Sequence, residues 1–170
     1  KHTRAIFHFT DGSQLYFNDL RKFGWWRILS SAHREELMAR HGLEPLSPEF
    51  KLKTFSSILA RYPQRPGKKR LLEQTLSAGV GNSYVDESCF AAGVLPHRQV
   101  KNLTALEIKK LHQAIQRILK LAIGKGGTSA RNYVRSDGTP GGFVPYLQVY
   151  GRGGLSCRGC GTSITKTKLL

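Results

Sequence analysis

Cys157 and Cys160 stand two residues apart and are followed at once by Gly161. That is the spacing of half a structural zinc site, with a glycine permitting the tight turn after the second thiolate. A closed site takes four ligands, and the chain carries neither a second Cys-x-x-Cys nor a histidine after the first. The reading is a zinc β-hairpin that stops before its second cysteine pair. A redox dithiol is disfavoured, because no helix start follows to lower a thiol pKa. A second stretch with chemistry is Gly79-Val80-Gly81-Asn82, where two glycines flank Val80 and Asn82 opens a helix. Such a turn offers free backbone N–H groups to a phosphate. Gly81 and Asn82 would then act together with Lys68 of the run Lys68-Lys69-Arg70. The plainer role of Asn82 is a helix cap. A dinucleotide site is disfavoured, since the turn follows a helix rather than a strand and the full glycine fingerprint is missing.

Two further segments carry a functional and an ordinary reading side by side. In Arg21-Lys22-Phe23-Gly24, Phe23 is either a core residue between solvated bases or a wedge pushed between stacked bases, with Arg21 filling the vacated space. The run Gly126-Gly127-Thr128-Ser129-Ala130-Arg131-Asn132-Tyr133 is either a solvated loop or a clamp of hydroxyl, amide and guanidinium groups around a polar base edge.

Twenty-seven Lys and Arg against eleven Asp and Glu give a net charge of +16 over 170 residues, which asks for a polyanionic partner. The 39% apolar content argues for a folded chain with one core or two small modules. No apolar run approaches a membrane span and no signal-peptide pattern opens the chain. An anionic membrane surface is disfavoured, because no helix sets Lys and Arg opposite an aromatic face. Three cysteines, with Cys89 alone, make no disulfide framework and point to a reducing, cytoplasmic compartment.

The elements that position these residues follow from periodicity. Thr3 to Thr10 alternates, Asp11-Gly12 is a hairpin turn, and Leu15, Phe17 and then Phe23 to Leu29 read as strands. Residues 1–30 are expected to be the last strands of an antiparallel β-sandwich. From Ser31 the period becomes helical: a short helix ends at Gly42, and Ser47-Pro48 is expected to open another with Phe55, Ile58 and Leu59 inward. A helix from about Lys69 to Leu76 meets the glycine turn, and one from Asn82 ends at Gly93. Thr104-Ala105-Leu106-Glu107 is a capping box, opening a helix with Ile108, Leu111, Ile115, Ile118 and Ala122 on one face and ending at Gly124. Phe143 to Tyr150 and Ile164 to Leu170 read as strands around the Cys-x-x-Cys knuckle. The fold class is α+β: a sandwich end (1–30), a helical domain (31–135) and a partial zinc β-hairpin finger (136–170).

The sequence resembles the formamidopyrimidine-DNA glycosylases of the helix-two-turn-helix superfamily. The likeness rests on Asp19-Leu20-Arg21-Lys22-Phe23-Gly24, Gly42-Leu43-Glu44-Pro45-Leu46-Ser47, Gly79-Val80-Gly81-Asn82-Ser83-Tyr84, Phe90-Ala91-Ala92-Gly93-Val94-Leu95-Pro96, Gly126-Gly127-Thr128 and Val149-Tyr150-Gly151-Arg152 leading into the cysteines. It runs in the family's order over nearly the whole chain. The resemblance implies excision of oxidised purines such as 8-oxoguanine and formamidopyrimidines from duplex DNA, followed by β,δ-elimination at the abasic site. It implies a DNA-binding set of Arg21, Phe23, Lys68, Gly81, Asn82, Tyr150 and Arg152. It implies a loop over the everted base made of Thr128, Ser129, Arg131, Asn132 and Tyr133, and one zinc ion of which Cys157 and Cys160 are two of four ligands.

Departures from the family pattern matter as well. The family's nucleophile is an N-terminal proline followed by glutamate, whereas this chain opens Lys1-His2, so it is expected to be a monomeric C-terminal DNA-binding fragment of a nucleoid-associated enzyme, without its nucleophile. Ser83 stands where a branched aliphatic residue is usual, and Gly142 where tyrosine is common. The alternative is a non-catalytic helix-two-turn-helix protein that binds DNA or RNA.

Overall fold

The computed structural model describes residues 2–74, 78–130 and 133–168. It combines a small antiparallel sheet with a set of helices, in two compact units, residues 1–38 and 39–170. In the first unit β1 (Thr3–His8) pairs antiparallel with β2 (Gln14–Asn18), setting Ala5 opposite Phe17 and Phe7 opposite Leu15. The Asp11-Gly12 turn forms as its sequence predicts. Gly12 takes the positive φ of 83°, and the Asp11 carboxylate accepts from the backbone N–H and hydroxyl of Ser13 at 2.9 and 2.6 Å. Ala5, Phe7 and Phe17 are half-buried on one face, where Phe7 meets the edge of Trp26 at 5.1 Å. Ile6, Leu15 and Tyr16 stay exposed.

The expected strand from Phe23 to Leu29 does not form. Ahead of it the Asp19 carboxylate binds the N–H groups of Arg21, Lys22 and Gly24, and Lys22 takes a left-handed φ of 59°, so the chain enters the segment from a turn. Helix α1 (Ser31–Ala39) follows.

In the second unit, α2 (Leu52–Ala60) starts four residues later than Ser47-Pro48 suggests, with Lys51 rather than Ser47 at the N-cap. Residues 44–50 form turns instead, with Ser47 N–H donating to Glu44 and Phe50 N–H to Ser47. Helix α3 (Gly67–Leu71) is shorter than expected, and the expected end at Leu76 lies outside the described residues. Helix α4 (Asn82–Ala92) stops at Gly93, whose φ of 69° lets Gly93 and Val94 N–H reach back to Phe90 and Cys89 carbonyls. Helix α5 (Ala105–Gly124) opens on the predicted capping box: the Thr104 hydroxyl accepts from Glu107 N–H, and the Glu107 carboxylate from Thr104 N–H. Its buried face is Leu111, Ala114, Ile115, Ile118, Leu119 and Ala122.

The main core gathers Phe50, Phe55, Leu59, Leu71, Val80, Val85, Leu111 and Ile115 from turns and helices α2 to α5. A satellite cluster under the C-terminal segment joins Ile118 and Ala122 to Phe143 and Leu147. The strand expected over 143–150 is replaced by a 3-10 turn at Val144–Tyr146, where Pro145 has no N–H to give a ladder. Residues 164–168 likewise carry no strand, and an isolated bridge joins Ser156 to Ser163.

Candidate nucleic-acid interface

Gln74 shapes the turn before α4. Its side-chain amide donates to the carbonyls of Leu72 and Val80, its side-chain oxygen accepts from Gly79 N–H at 2.9 Å, and its own carbonyl accepts from Gly42 N–H. Gly79 sits at φ 77°, and Val80, 1% exposed, pins the turn to the core. Gly81, not Asn82, is the N-cap, and it has no side chain to give the helix. The first amides of α4 therefore have no side-chain cap, in contrast to those of α5. Asn82 is the first helical residue and is exposed. An exposed helix start without a side-chain cap carries partial positive charge and N–H groups with no intrahelical partner, features that suit an anion.

Lys68, expected beside this turn as a phosphate ligand, is paired with a carboxylate. Its ammonium lies 2.7 and 2.9 Å from the two Asp86 oxygens, on the second turn of α4. Arg70, two residues on, is buried at 1% exposure, lies 3.9 Å from the Tyr62 ring centre, and pairs with Glu73, which also holds Arg65. It is a packing residue, which the run of three bases in the sequence does not reveal.

Beyond α5 the loop folds back on its own end. Ser129 hydroxyl donates to the Tyr133 carbonyl at 2.7 Å and accepts from Gly141 N–H at 2.7 Å. A Cβ on Gly141 would lie 2.3 Å from the Gly127 carbonyl oxygen, and one on Gly127 would lie 2.6 Å from the Tyr133 ring. Glycine at 127 and 141 is what permits this closeness. Thr128 hydroxyl donates to Tyr84 Oη at 3.0 Å, tying the loop to α4. Between them lies a cleft of about 660 Å³ whose walls include Gly79, Ser83, Tyr84, Ile123, Thr128 and Tyr133. Arg131 and Asn132 lie outside the described residues.

The C-terminal arm is fixed by a residue that sequence reasoning passed over. Glu87, on the buried side of α4 and 3% exposed, accepts from the consecutive backbone N–H groups of Gln148, Val149 and Tyr150 at 2.8, 2.9 and 2.8 Å. Arg152 donates to the carbonyls of Gln148 and Ser156 at 2.8 and 3.0 Å, and Tyr150 packs against the satellite core. In the knuckle, Cys157 N–H donates to Thr162, Gly161 N–H to the Cys157 carbonyl, and Gly159 N–H points at Cys157 Sγ at 3.4 Å, with Gly161 at φ 75°. Hydrogen bonding to Thr162 holds the Cys160 thiol below its ordinary pKa. This turn presents two thiols and donates to one of them, which suits thiolate ligands. Among the described residues no group of three or more His, Cys, Asp or Glu could hold a metal ion.

In the first unit the loop after β2 carries Arg21 and Phe23. Phe23 is 75% exposed, with the Arg21 guanidinium 4.8 Å from its ring centre. The Asp19 carboxylate under them is held below its usual pKa, above all by Gly24 N–H. No helix among the described residues is long and apolar enough to cross a membrane.

A family model described as the formamidopyrimidine-DNA glycosylase H2TH domain matches residues 41–133. The formamidopyrimidine-DNA glycosylase of Geobacillus kaustophilus is 44% identical over 168 residues, covering 98% of this chain and 61% of the relative. That of Halalkalibacterium halodurans is 44% identical over 170 residues, with the same coverage of 98% and 61%. The crystal structure of MutM (Fpg) from Thermus thermophilus superposes with a TM-score of 0.89 at 39% identity, over 99% of this chain and 64% of the other. Lactococcus lactis Fpg in complex with abasic-site DNA gives 0.88 at 39% identity, over 99% and 62%. The chain thus spans about three fifths of the length of the curated relatives it matches. It belongs to the formamidopyrimidine-DNA glycosylase family, and residues 41–133 are its H2TH domain.

Proposed function

We propose that this chain is the DNA-holding part of a base-excision DNA glycosylase and AP lyase that removes oxidised purines, 8-oxoguanine and formamidopyrimidines, from duplex DNA. The observation that carries this reading is the uncapped start of α4 at Gly81, opening beside a cleft walled by the polar loop. In this reading Gly81 and Asn82 bind a phosphate near the lesion, with Lys68 released from Asp86 to join them. Thr128, Ser129, Arg131, Asn132 and Tyr133 close over the everted base. Phe23, exposed and backed by Arg21, enters the stack, and Arg21 faces the orphaned cytosine. Tyr150 and Arg152 bring the knuckle to the backbone. These residues hold and orient DNA, and none is assigned the attack on the sugar.

The same reading makes the β1–β2 hairpin the end of a sandwich, since it leaves Ile6, Leu15 and Tyr16 exposed on a ribbon too small to be stable alone. It makes residues 136–170 part of a zinc finger in which Cys157 and Cys160 are two of four ligands. Zinc would supply a rigid tetrahedral tie there and no chemistry. The protein would act as a monomer in the cytoplasm, at the nucleoid.

Fluorescence anisotropy of the 170-residue chain with a duplex holding one 8-oxoguanine opposite cytosine tests this. Affinity should fall on the order of tenfold or more between low and moderate salt if two or three phosphates are neutralised. Asn82→Ala should weaken binding to damaged and undamaged duplexes alike. Salt-independent binding, or an unchanged affinity for Asn82→Ala, would overturn the assignment.

A further inference from the structure

A second groove, of about 700 Å³, lies at the other end of the α4–α5 pair. Its walls are the last turn of α4 from Phe90 to Gly93 and, from α5, Lys110, Ala114 and Arg117. Phe90 is 40% exposed, so an aromatic face and small residues form an apolar floor between two cations. Leu106 and Leu121, both exposed, extend the same α5 face four residues to either side of the cations. Neither Lys110 nor Arg117 has a carboxylate at ion-pair distance among the described residues. No acidic side chain lines the groove.

We propose that this groove docks a short acidic peptide segment of a partner protein, one carrying an aromatic or aliphatic residue among its carboxylates. Charge complementarity selects the carboxylates for Lys110 and Arg117, and the Phe90 floor takes the apolar residue. Nucleic acid fits less well, because its charge runs along a continuous phosphate backbone, whereas a peptide can seat an apolar side chain on the Phe90 floor between carboxylates set at Lys110 and Arg117. The partial negative charge at the carbonyl end of α4 opposes carboxylate and phosphate alike and does not choose between them. The volume suits a few residues rather than a domain.

The test uses the 170-residue chain and a fluorescein-labelled peptide, Asp-Glu-Phe-Asp-Glu-Leu-Asp, with Asp-Glu-Ser-Asp-Glu-Ser-Asp as its equal-charge control. The apolar peptide should bind, the serine peptide should bind on the order of fivefold more weakly or not at all, and Arg117→Glu should weaken the first by a similar factor. Lys110→Gln, a milder exposed change, should act in the same direction, with helical circular dichroism unchanged in both variants. Duplex DNA affinity should stay within about twofold of wild type in Lys110→Gln. Equal binding of the two peptides, or no effect of either variant, would overturn the proposal. So would a parallel loss of duplex DNA affinity in Lys110→Gln, which would make the groove part of the nucleic-acid interface.

Discussion

Glu87 on α4 accepts the backbone N–H of Tyr150 at 2.8 Å, bridging 63 positions of sequence, and with the same carboxylate it holds Gln148 and Val149. A charge buried this deeply is tolerated because three donors converge on it. Glu87→Ala leaves all three unpaired and is expected to cost about 2–4 kcal/mol in urea unfolding. Glu87→Gln, which keeps shape and loses charge, should cost roughly half as much. Exchange of the amides at 148–150 should quicken in both; a stability within about 0.5 kcal/mol of wild type for Glu87→Ala would refute the clamp.

The capping box of α5 has a pH signature. Its Glu107 carboxylate is held down to about 2 from 4.5, first by Thr104 N–H and then by Arg98. A depressed carboxylate stabilises the fold fully above its unfolded value and loses that contribution as pH falls through its folded one. The gap in melting temperature between wild type and Glu107→Gln should therefore be constant above about pH 5 and close between about 4.5 and 2. Thr104→Ala should cost about 1 kcal/mol. A gap that widens on acidification would contradict the pairing.

The Lys68–Asp86 pair sets up opposite outcomes for its two members. Lys68→Gln should weaken duplex binding and lower the salt slope by about 1. Asp86→Asn, which frees the ammonium, should raise affinity, on the order of two- to fivefold. Titrations that leave both variants on the wild-type curve would show that Lys68 reaches no phosphate.

The three thiols should separate cleanly. Cys89 is buried and its pKa is pushed up to about 12, chiefly by desolvation, so it should resist alkylation until the chain is unfolded. Cys160 is exposed and Cys157 half-buried, and both should react in the folded, chelator-treated protein. Mass spectrometry after iodoacetamide reads this as two adducts folded and three in denaturant; an early third adduct would contradict the buried assignment.

What the sequence revealed was local. The capping box at Thr104 and Glu107, the stop at Gly93, the Asp11-Gly12 turn and the buried face of α5 all follow from residues within a few positions of one another. What it concealed was long-range. The strand read over Phe143 to Tyr150 has the right apolar content. However, Glu87, more than sixty positions earlier, takes the N–H groups of 148–150, and a ladder cannot use them twice. Lys68 was expected as a phosphate ligand, and its pairing with Asp86, eighteen positions away, is not visible in the local sequence. Asn82 was read as a cap when Gly81 holds that place, a one-residue difference that the turn geometry decides. Arg70 is one of three consecutive bases in the sequence, and its burial under Tyr62 is set by packing that the run itself does not show.

Helix α4 carries three separate duties along one axis: the open start at Gly81, the clamp at Glu87 and the groove wall from Phe90. A helix turns by about 100° with each residue. One residue inserted between Asn82 and Glu87 would swing the carboxylate away from the arm and turn Phe90 out of its groove, however mild the inserted side chain. Along this lineage α4 should therefore accept exchanges of residue type far more readily than any change in its length, while gaps and insertions collect in the loops on either side.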